Sequence, residues 1–216
     1  MGKLKVGRIT LGMCNTNGYF IYREGSADEK GYTPVLFVDP PDQGDYIHRG
    51  MENNNFKVEA ILLTHGHFDH IFGAHELRAR SGCKIYASEL EANVLADAKL
   101  NVSADVGRPT TLKVNTFLKD EEELEIANMK FKVISTPGHT EGGCCFYFEE
   151  DDVLIGGDTL FEGSVGRTDL PTGSMSALVN SIKTRLFVLP DTTVVYPGHG
   201  DSTTIGWEKK NNPYVV

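Results

Sequence analysis

The sequence has few cysteines and no long apolar run, and each absence excludes a class of protein. Four cysteines occur in 216 residues and none forms a CxxC pair, so a thiolate zinc site is not indicated. No stretch reaches the ~18 apolar residues that a transmembrane helix needs. The composition is typical of a globular protein that folds without disulfides and keeps its thiols reduced, which favours the cytoplasm.

Positive charge is also scarce. Lys and Arg number 21 against 30 Asp and Glu, which gives a formal net charge of −9. Binding to nucleic acid or to an anionic membrane needs clustered basic side chains. The acidic balance therefore argues against both partners, although bound divalent cations would cancel part of it.

Length and hydrophobic content are sufficient for a sizeable core. Short strand patterns come first, and strands then alternate with helices. We predict helices over 42–54, 69–81, 88–99, 174–186 and 202–211, with Ser174 as an N-cap, and a surface loop over 100–120. Two β-rich halves, each followed by helix, favour two packed sheets with helices outside, in one compact α/β unit over residues 1–216.

The residues suited to chemistry are concentrated at four turns, and each turn follows a hydrophobic strand. The first turn has the sequence THGHFDH, and the other three place a histidine or an aspartate beside glycine. The seven side chains are His65, His67, Asp69, His70, His139, Asp158 and His199. Loops at strand ends gather functional groups in α/β proteins, so we expect these side chains to meet at one edge.

Imidazole and carboxylate are donors for first-row metals, so the pattern predicts a metal site. His65 and His67 point to the same side of an extended segment, whereas Asp69 and His70 lie at the start of a helix. We assign His65, His67 and His139 to one ion, and Asp69, His70 and His199 to a second, with Asp158 shared. Zn, Fe and Mn all accept such donors, and both one ion and two remain open.

The order of these motifs resembles that of the metallo-β-lactamase superfamily: HxHxDH comes first, then a distant His, an Asp after Gly and a final His. Within it, the segments GDTLF (157–161), GRTD (166–169) and PGHG (197–200) resemble the short bacterial glyoxalase II-like hydrolases, also described as hydroxyacylglutathione hydrolase-like. The resemblance implies a four-layer αβ/βα sandwich with a dinuclear site at one edge. We expect a single domain without the helical C-terminal extension of full-length glyoxalase II, which leaves glutathione specificity open.

The resemblance implies hydrolysis of a thioester such as S-lactoylglutathione. A water between two Zn²⁺-like ions loses a proton near neutral pH, and this metal-bridging hydroxide is expected to attack the carbonyl. We expect Asp69 both to bind metal and to orient the hydroxide. The leaving thiol has a pKa of about 8.5, so no strong general acid is needed. Arg167 is expected to bind a substrate carboxylate, and a salt bridge to Asp169 is the alternative.

Three other functions remain open. An iron-dependent persulfide dioxygenase shares the fold and the HxHxDH motif but uses a single iron. A hydrolase of another ester, a lactone or a β-lactam would use the same site. A metal-binding protein without catalysis is the third. The partner in the favoured function is a small-molecule thioester, and the chain is expected to be a monomer or a homodimer.

Overall fold

The computed structural model describes residues 2–215. Its first sheet has six strands, which lie side by side in the order in which they occur along the chain. They are β1 (Leu4–Leu11), β2 (Thr16–Arg23), β3 (Thr33–Val38), β4 (Phe56–Leu63), β5 (Lys84–Ser88) and β6 (Thr116–Leu118). The first three strands pair antiparallel, and the pairing from β3 to β6 is parallel.

The second sheet also has six strands, in the spatial order β14-β13-β10-β9-β8-β7. They are β7 (Glu123–Ile126), β8 (Met129–Ser135), β9 (Cys144–Phe148), β10 (Val153–Gly157), β13 (Val194–Pro197) and β14 (Thr203–Thr204). The pair β10–β13 is parallel and the others are antiparallel. The strands β11 (Leu160–Phe161) and β12 (Ser164–Val165) form a separate hairpin.

The helices cover the outer faces of the two sheets. They are α1 (Gly44–Asn53), α2 (Phe68–Ile71), α3 (Ala74–Ser81), α4 (Ala92–Ala96), α5 (Met175–Ser181) and α6 (Ile205–Asn211). One buried cluster lies between the sheets, a second packs α1 and α3 on the first sheet, and a third packs α5 and α6 on the second. The predicted four-layer αβ/βα sandwich is confirmed. No helix among residues 2–215 is long and apolar enough to cross a membrane.

Strand β4 shows why the first site turn is held rigidly. Its sequence ends in a continuous apolar run, which is typical of a strand buried on both faces. Leu62 packs into the cluster between the sheets, whereas Ile61 and Leu63 pack against the helices, as the two-residue period of a strand requires. The turn that carries His65 follows directly from this doubly buried strand.

The predicted elements are present, with differences at their ends. The helix predicted over 69–81 is divided into α2 and α3 at Gly73. Ser174 caps α5, because its hydroxyl accepts a hydrogen bond from the backbone N–H of Ala177 at 3.4 Å. The segment 100–120 differs from the predicted surface loop, since Asn101 and Ser103 are fully buried. Asn101 accepts the backbone N–H of Phe68 at 3.0 Å and so joins this segment to the first site turn.

Candidate metal centre

The seven predicted side chains lie together at one edge of the sandwich. They occupy the turns that follow β4, β8, β10 and β13, and all four strands lie in the interior of their sheets. His65, His67 and His70 are buried, and so are His139 and Asp158. Both sheets therefore contribute donors to a single cluster.

The donors fall into two groups. One donor atom from each of His65, His67 and His139 lies within 4.8 Å of the others, and the same holds for Asp69, His70 and His199. These are the two sets that the sequence predicts. That each side chain binds a metal stays a prediction, for which the structure supplies the geometry.

Asp158 stands between the two groups. Its Oδ2 lies 3.5 Å from Nε2 of His139 in the first group and 3.4 Å from Nε2 of His199 in the second. Its Oδ1 lies 3.4 Å from Nε2 of His70. This position fits a carboxylate shared by two ions, and that role stays a prediction.

Asp39, at the end of β3, fixes the orientation of two of the histidines. Its Oδ2 accepts Nδ1–H of His70 at 3.0 Å and the hydroxyl of Thr64 at 2.5 Å. The Thr64 hydroxyl in turn accepts Nδ1–H of His65 at 3.1 Å. With Nδ1 engaged in both rings, Nε2 is the nitrogen available to a metal. The sequence prediction did not include Asp39 in the site. Its signal was its position directly after a hydrophobic strand, which it shares with the predicted site residues.

His139 is oriented by a main-chain group. Its Nδ1 donates to the carbonyl oxygen of Arg167 at 2.7 Å, and its Nε2 lies 2.8 Å from Nδ1 of His67. The Arg167 side chain points elsewhere, because it is exposed and donates two hydrogen bonds of 2.7 Å to Asp169. The predicted salt bridge is therefore present, and substrate binding by Arg167 stays a prediction.

The turn that carries His199 is held by the N-terminal hairpin. The Asn17 side-chain amide donates to the carbonyl oxygens of Pro197 at 3.1 Å and Gly200 at 2.9 Å. The Tyr19 hydroxyl donates to the same Pro197 oxygen at 2.7 Å. Strand β2 thus fixes a turn that is 178 residues away in the sequence.

The same turn approaches the centre closely. A Cβ atom on Gly198 would lie 2.1 Å from Oδ1 of Asp158 and 2.6 Å from Cε1 of His70. No side chain fits in that space, so only glycine allows the backbone to pass here.

Two histidines of the first donor group, His65 and His67, are electrically neutral. Burial lowers the pKa of His67 to about 3 and lowers the pKa of His65 well below its ordinary value, and the neighbouring histidines add to both effects. Both rings are therefore unprotonated at neutral pH. Neutral imidazole is the form that binds metal.

The carboxylates in the centre are ionised. Burial opposes ionisation of Asp69, but the charge of His70 and the hydrogen bond from His199 outweigh it and lower the pKa to about 2. Burial likewise opposes ionisation of Asp158, and the same two histidines hold its pKa well below the ordinary value. Thr16 donates to Oδ2 of Asp69 at 2.7 Å and further stabilises the anion.

Several buried donor atoms have no hydrogen-bond partner within residues 2–215. They are Nε2 of His65 and Nε2 of His67, while Nε2 of His70 and Oδ1 of Asp158 face each other at 3.4 Å. A buried polar atom without a partner costs about 1–3 kcal/mol, so such atoms are rare in folded proteins. These atoms lie beside the carboxylates of Asp69 and Asp158. The residues therefore fit bound metal cations.

Comparisons with known proteins agree with this site. Residues 49–199 match the profile of the metallo-beta-lactamase superfamily. The chain is 35% identical over 214 residues to the probable metallo-hydrolase YqgX of Bacillus subtilis, with 98% of both chains covered. It is 34% identical over 194 residues to the hydroxyacylglutathione hydrolase GloC of Haemophilus influenzae, with 87% of this chain and 89% of GloC covered.

Solved structures show the same architecture. The BLEG-1 B3 metallo-beta-lactamase superposes with a TM-score of 0.90 at 35% identity, covering 98% of this chain and 100% of that chain. TTHA1623 in a di-iron-bound form superposes with a TM-score of 0.82 at 33% identity, covering 97% and 100%. The chain therefore belongs to the metallo-β-lactamase superfamily, a superfamily of metallo-hydrolases.

Proposed function

We propose that the chain is a thioester hydrolase that cleaves a 2-hydroxyacyl thioester, such as S-lactoylglutathione, into a hydroxy acid and a free thiol. The observation that carries the proposal is the pair of donor groups with Asp158 in contact with both. The relative named hydroxyacylglutathione hydrolase supports the substrate class. The neighbour with two bound irons supports a centre for two ions.

The first ion would be held by His65, His67 and His139, the second by Asp69, His70 and His199, and Asp158 would touch both. We propose zinc, although the same donors accept iron or manganese. Two such ions supply Lewis acidity toward a carbonyl oxygen and lower the pKa of nearby water. The protein residues then orient the reactants.

Asp69 is the residue that we propose orients the attacking water. Its Oδ2 takes the contacts with Thr16, His70 and His199. No hydrogen bond from residues 2–215 reaches Oδ1, so this oxygen is free to accept a hydrogen bond from the water. With a pKa of about 2, Asp69 is ionised at neutral pH and acts as an acceptor.

The hydrogen-bonding of the histidines favours a thioester over an amide. Both His70 and His139 use Nδ1 to hold their rings in place, and their Nε2 atoms face the centre. With those Nε2 atoms bound to metal, as proposed, neither ring would be able to protonate a leaving amine. A leaving thiol has a pKa of about 8.5 and departs as thiolate without an acid.

We also propose that Arg167 binds the carboxylate of the substrate. Its partner Asp169 is exposed, and ion pairs at the surface contribute little to stability. A substrate carboxylate can therefore replace Asp169 at the planar guanidinium, which suits two parallel hydrogen bonds. Arg167→Ala should raise KM for a hydroxyacyl thioester with a carboxylate on its carrier and leave KM for a neutral thioester unchanged. Equal changes in both would contradict this role.

One experiment separates the candidate functions. Purified protein is analysed for metal and then assayed with S-lactoylglutathione, a coenzyme A thioester, a lactone and a β-lactam. Two ions per chain with thiol release support the proposal. One iron per chain with oxygen uptake on a thiol persulfide would replace it with the dioxygenase. Bound metal without turnover of any substrate would indicate a metal-binding protein.

A further inference from the structure

Glu91 is an acidic side chain in an unusual environment. It ends the short helical turn Glu89–Glu91, and it is fully buried, whereas Glu89 is exposed. Glutamate is almost never fully buried without a partner that offsets its desolvation. The side-chain hydrogen bond that Glu91 accepts in this structure comes from a hydroxyl group, that of Thr140.

Glu91 lies between two loops. The Thr140 hydroxyl donates to Oε1. The backbone amides of Gly66 and Gly142 also face the carboxylate, whose other oxygen is Oε2. This second oxygen lies against Gly66, where an added Cβ would come within 3.2 Å of it. The main chain of Glu91 approaches the second loop even more closely, because a Cβ on Gly142 would lie 2.5 Å from the nitrogen of Glu91.

These two loops carry the whole first donor group. Gly66 separates His65 from His67, and Thr140 follows His139. The first loop extends from β4 in the first sheet, and the second follows β8 in the second sheet. A side chain in contact with both loops fixes the separation between histidines that belong to different sheets.

We propose that Glu91 is a positioning residue that holds the His65–His67 turn and the His139 turn at the separation that a metal ion requires. The Thr140 hydroxyl is its contact on one side and the Gly66 backbone is its contact on the other. The inference rests on the proposed metal centre, since it concerns the geometry of three of its ligands.

The test compares four variants. Glu91→Leu removes the acceptor at similar size, and Thr140→Val removes the donor. Glu91→Gln keeps an oxygen that accepts from Thr140, and Glu89→Gln changes an exposed neighbour as the matched control. Zinc affinity and stoichiometry are measured by competition with a chelator. The visible absorption of the cobalt-substituted proteins reports the geometry of each ion.

Glu91→Leu and Thr140→Val should each lower the affinity for one of the two ions about 10- to 100-fold. This is the range found for residues that orient metal ligands. The other ion should keep its affinity. Glu91→Gln should restore most of the affinity and the cobalt spectrum, and Glu89→Gln should match the wild type. The double variant of Glu91→Leu and Thr140→Val should bind metal as tightly as either single variant, because both substitutions break the same contact.

Results that differ from these expectations would overturn the inference, its Thr140 contact or the metal centre itself. Wild-type affinity and spectrum in Glu91→Leu would refute the inference and leave the metal centre intact. Equal losses in Glu91→Gln and Glu91→Leu would refute positioning through the Thr140 hydrogen bond. If Glu91→Leu does not fold, Thr140→Val decides the question alone. A wild-type protein that binds no metal would overturn the proposed function and the inference with it.

Discussion

Replacing Glu91 by glutamine should change how folding stability depends on pH. Burial raises the pKa of Glu91 to about 7 from its ordinary value of 4.5, although the hydrogen bond from Thr140 opposes the shift. Between these values the folded state keeps a proton that the unfolded chain has released. The group therefore contributes stability below pH 4.5, and that contribution is lost as the pH rises through 7.

The size of the effect follows from the two pKa values. Their difference is about 2.5, and each pKa unit corresponds to 1.36 kcal/mol, so the full effect is about 3 kcal/mol. Glutamine has no proton to exchange, and its variant lacks this dependence. Between pH of about 5 and about 8, the wild type should lose about 2.5 kcal/mol more of its unfolding free energy than the variant.

The assay is urea unfolding of the metal-free proteins across this pH range. The difference between the two curves isolates Glu91, because His70 and His199 titrate in both proteins. Glu89→Gln is the control, and its curve should run parallel to that of the wild type. Parallel curves for wild type and Glu91→Gln would refute the reasoning, since they would mean that Glu91 has the same pKa folded and unfolded.

Three further substitutions test the centre and its supports. Asp158→Ala should remove most bound metal and activity together, because this carboxylate contacts both donor groups; full metal occupancy by elemental analysis would exclude the shared role. Tyr19→Phe should lower the unfolding free energy by about 1 kcal/mol, since Pro197 loses a donor; an unchanged urea midpoint and slope would contradict this. Gly198→Ala should lower metal affinity in equilibrium dialysis, because its Cβ would lie 2.1 Å from Oδ1 of Asp158; wild-type binding would show that the turn can move.

Much of the architecture could be predicted because strand and turn patterns are local. The apolar run before His65 has the signature of a strand buried on both faces, and β4 is such a strand. Ser174 was recognisable as a cap because its hydroxyl satisfies a backbone N–H three residues on. The meeting of the four turns could be predicted because loops at strand ends gather functional groups in α/β proteins. Each of the four turns carries a histidine or an aspartate, which are metal donors.

The supporting residues could not be predicted, because their roles depend on contacts that are distant in the sequence. Glu91 lies in a segment that has a helical pattern, and its partner Thr140 is 49 residues away. Asn101 is buried, and two hydrogen bonds satisfy its polar groups. Its side-chain amide donates to the Thr110 carbonyl, and its own carbonyl oxygen accepts the backbone N–H of Phe68. Hydropathy assigns such a polar residue to the surface, since it does not register buried hydrogen bonds.

The buried donor atoms of the candidate metal centre that lack hydrogen-bond partners link metal binding to the amount of this protein in a cell. The donor side chains of the centre come from turns of both sheets, so an ion bound there ties together two parts of the chain that would separate on unfolding. A ligand that binds only the folded state at 1,000 times its Kd adds about 4 kcal/mol. We expect metal starvation to shorten the lifetime of the protein, because proteases degrade the unfolded fraction. An unchanged half-life in chelator-treated cells would contradict this coupling of metal supply to abundance.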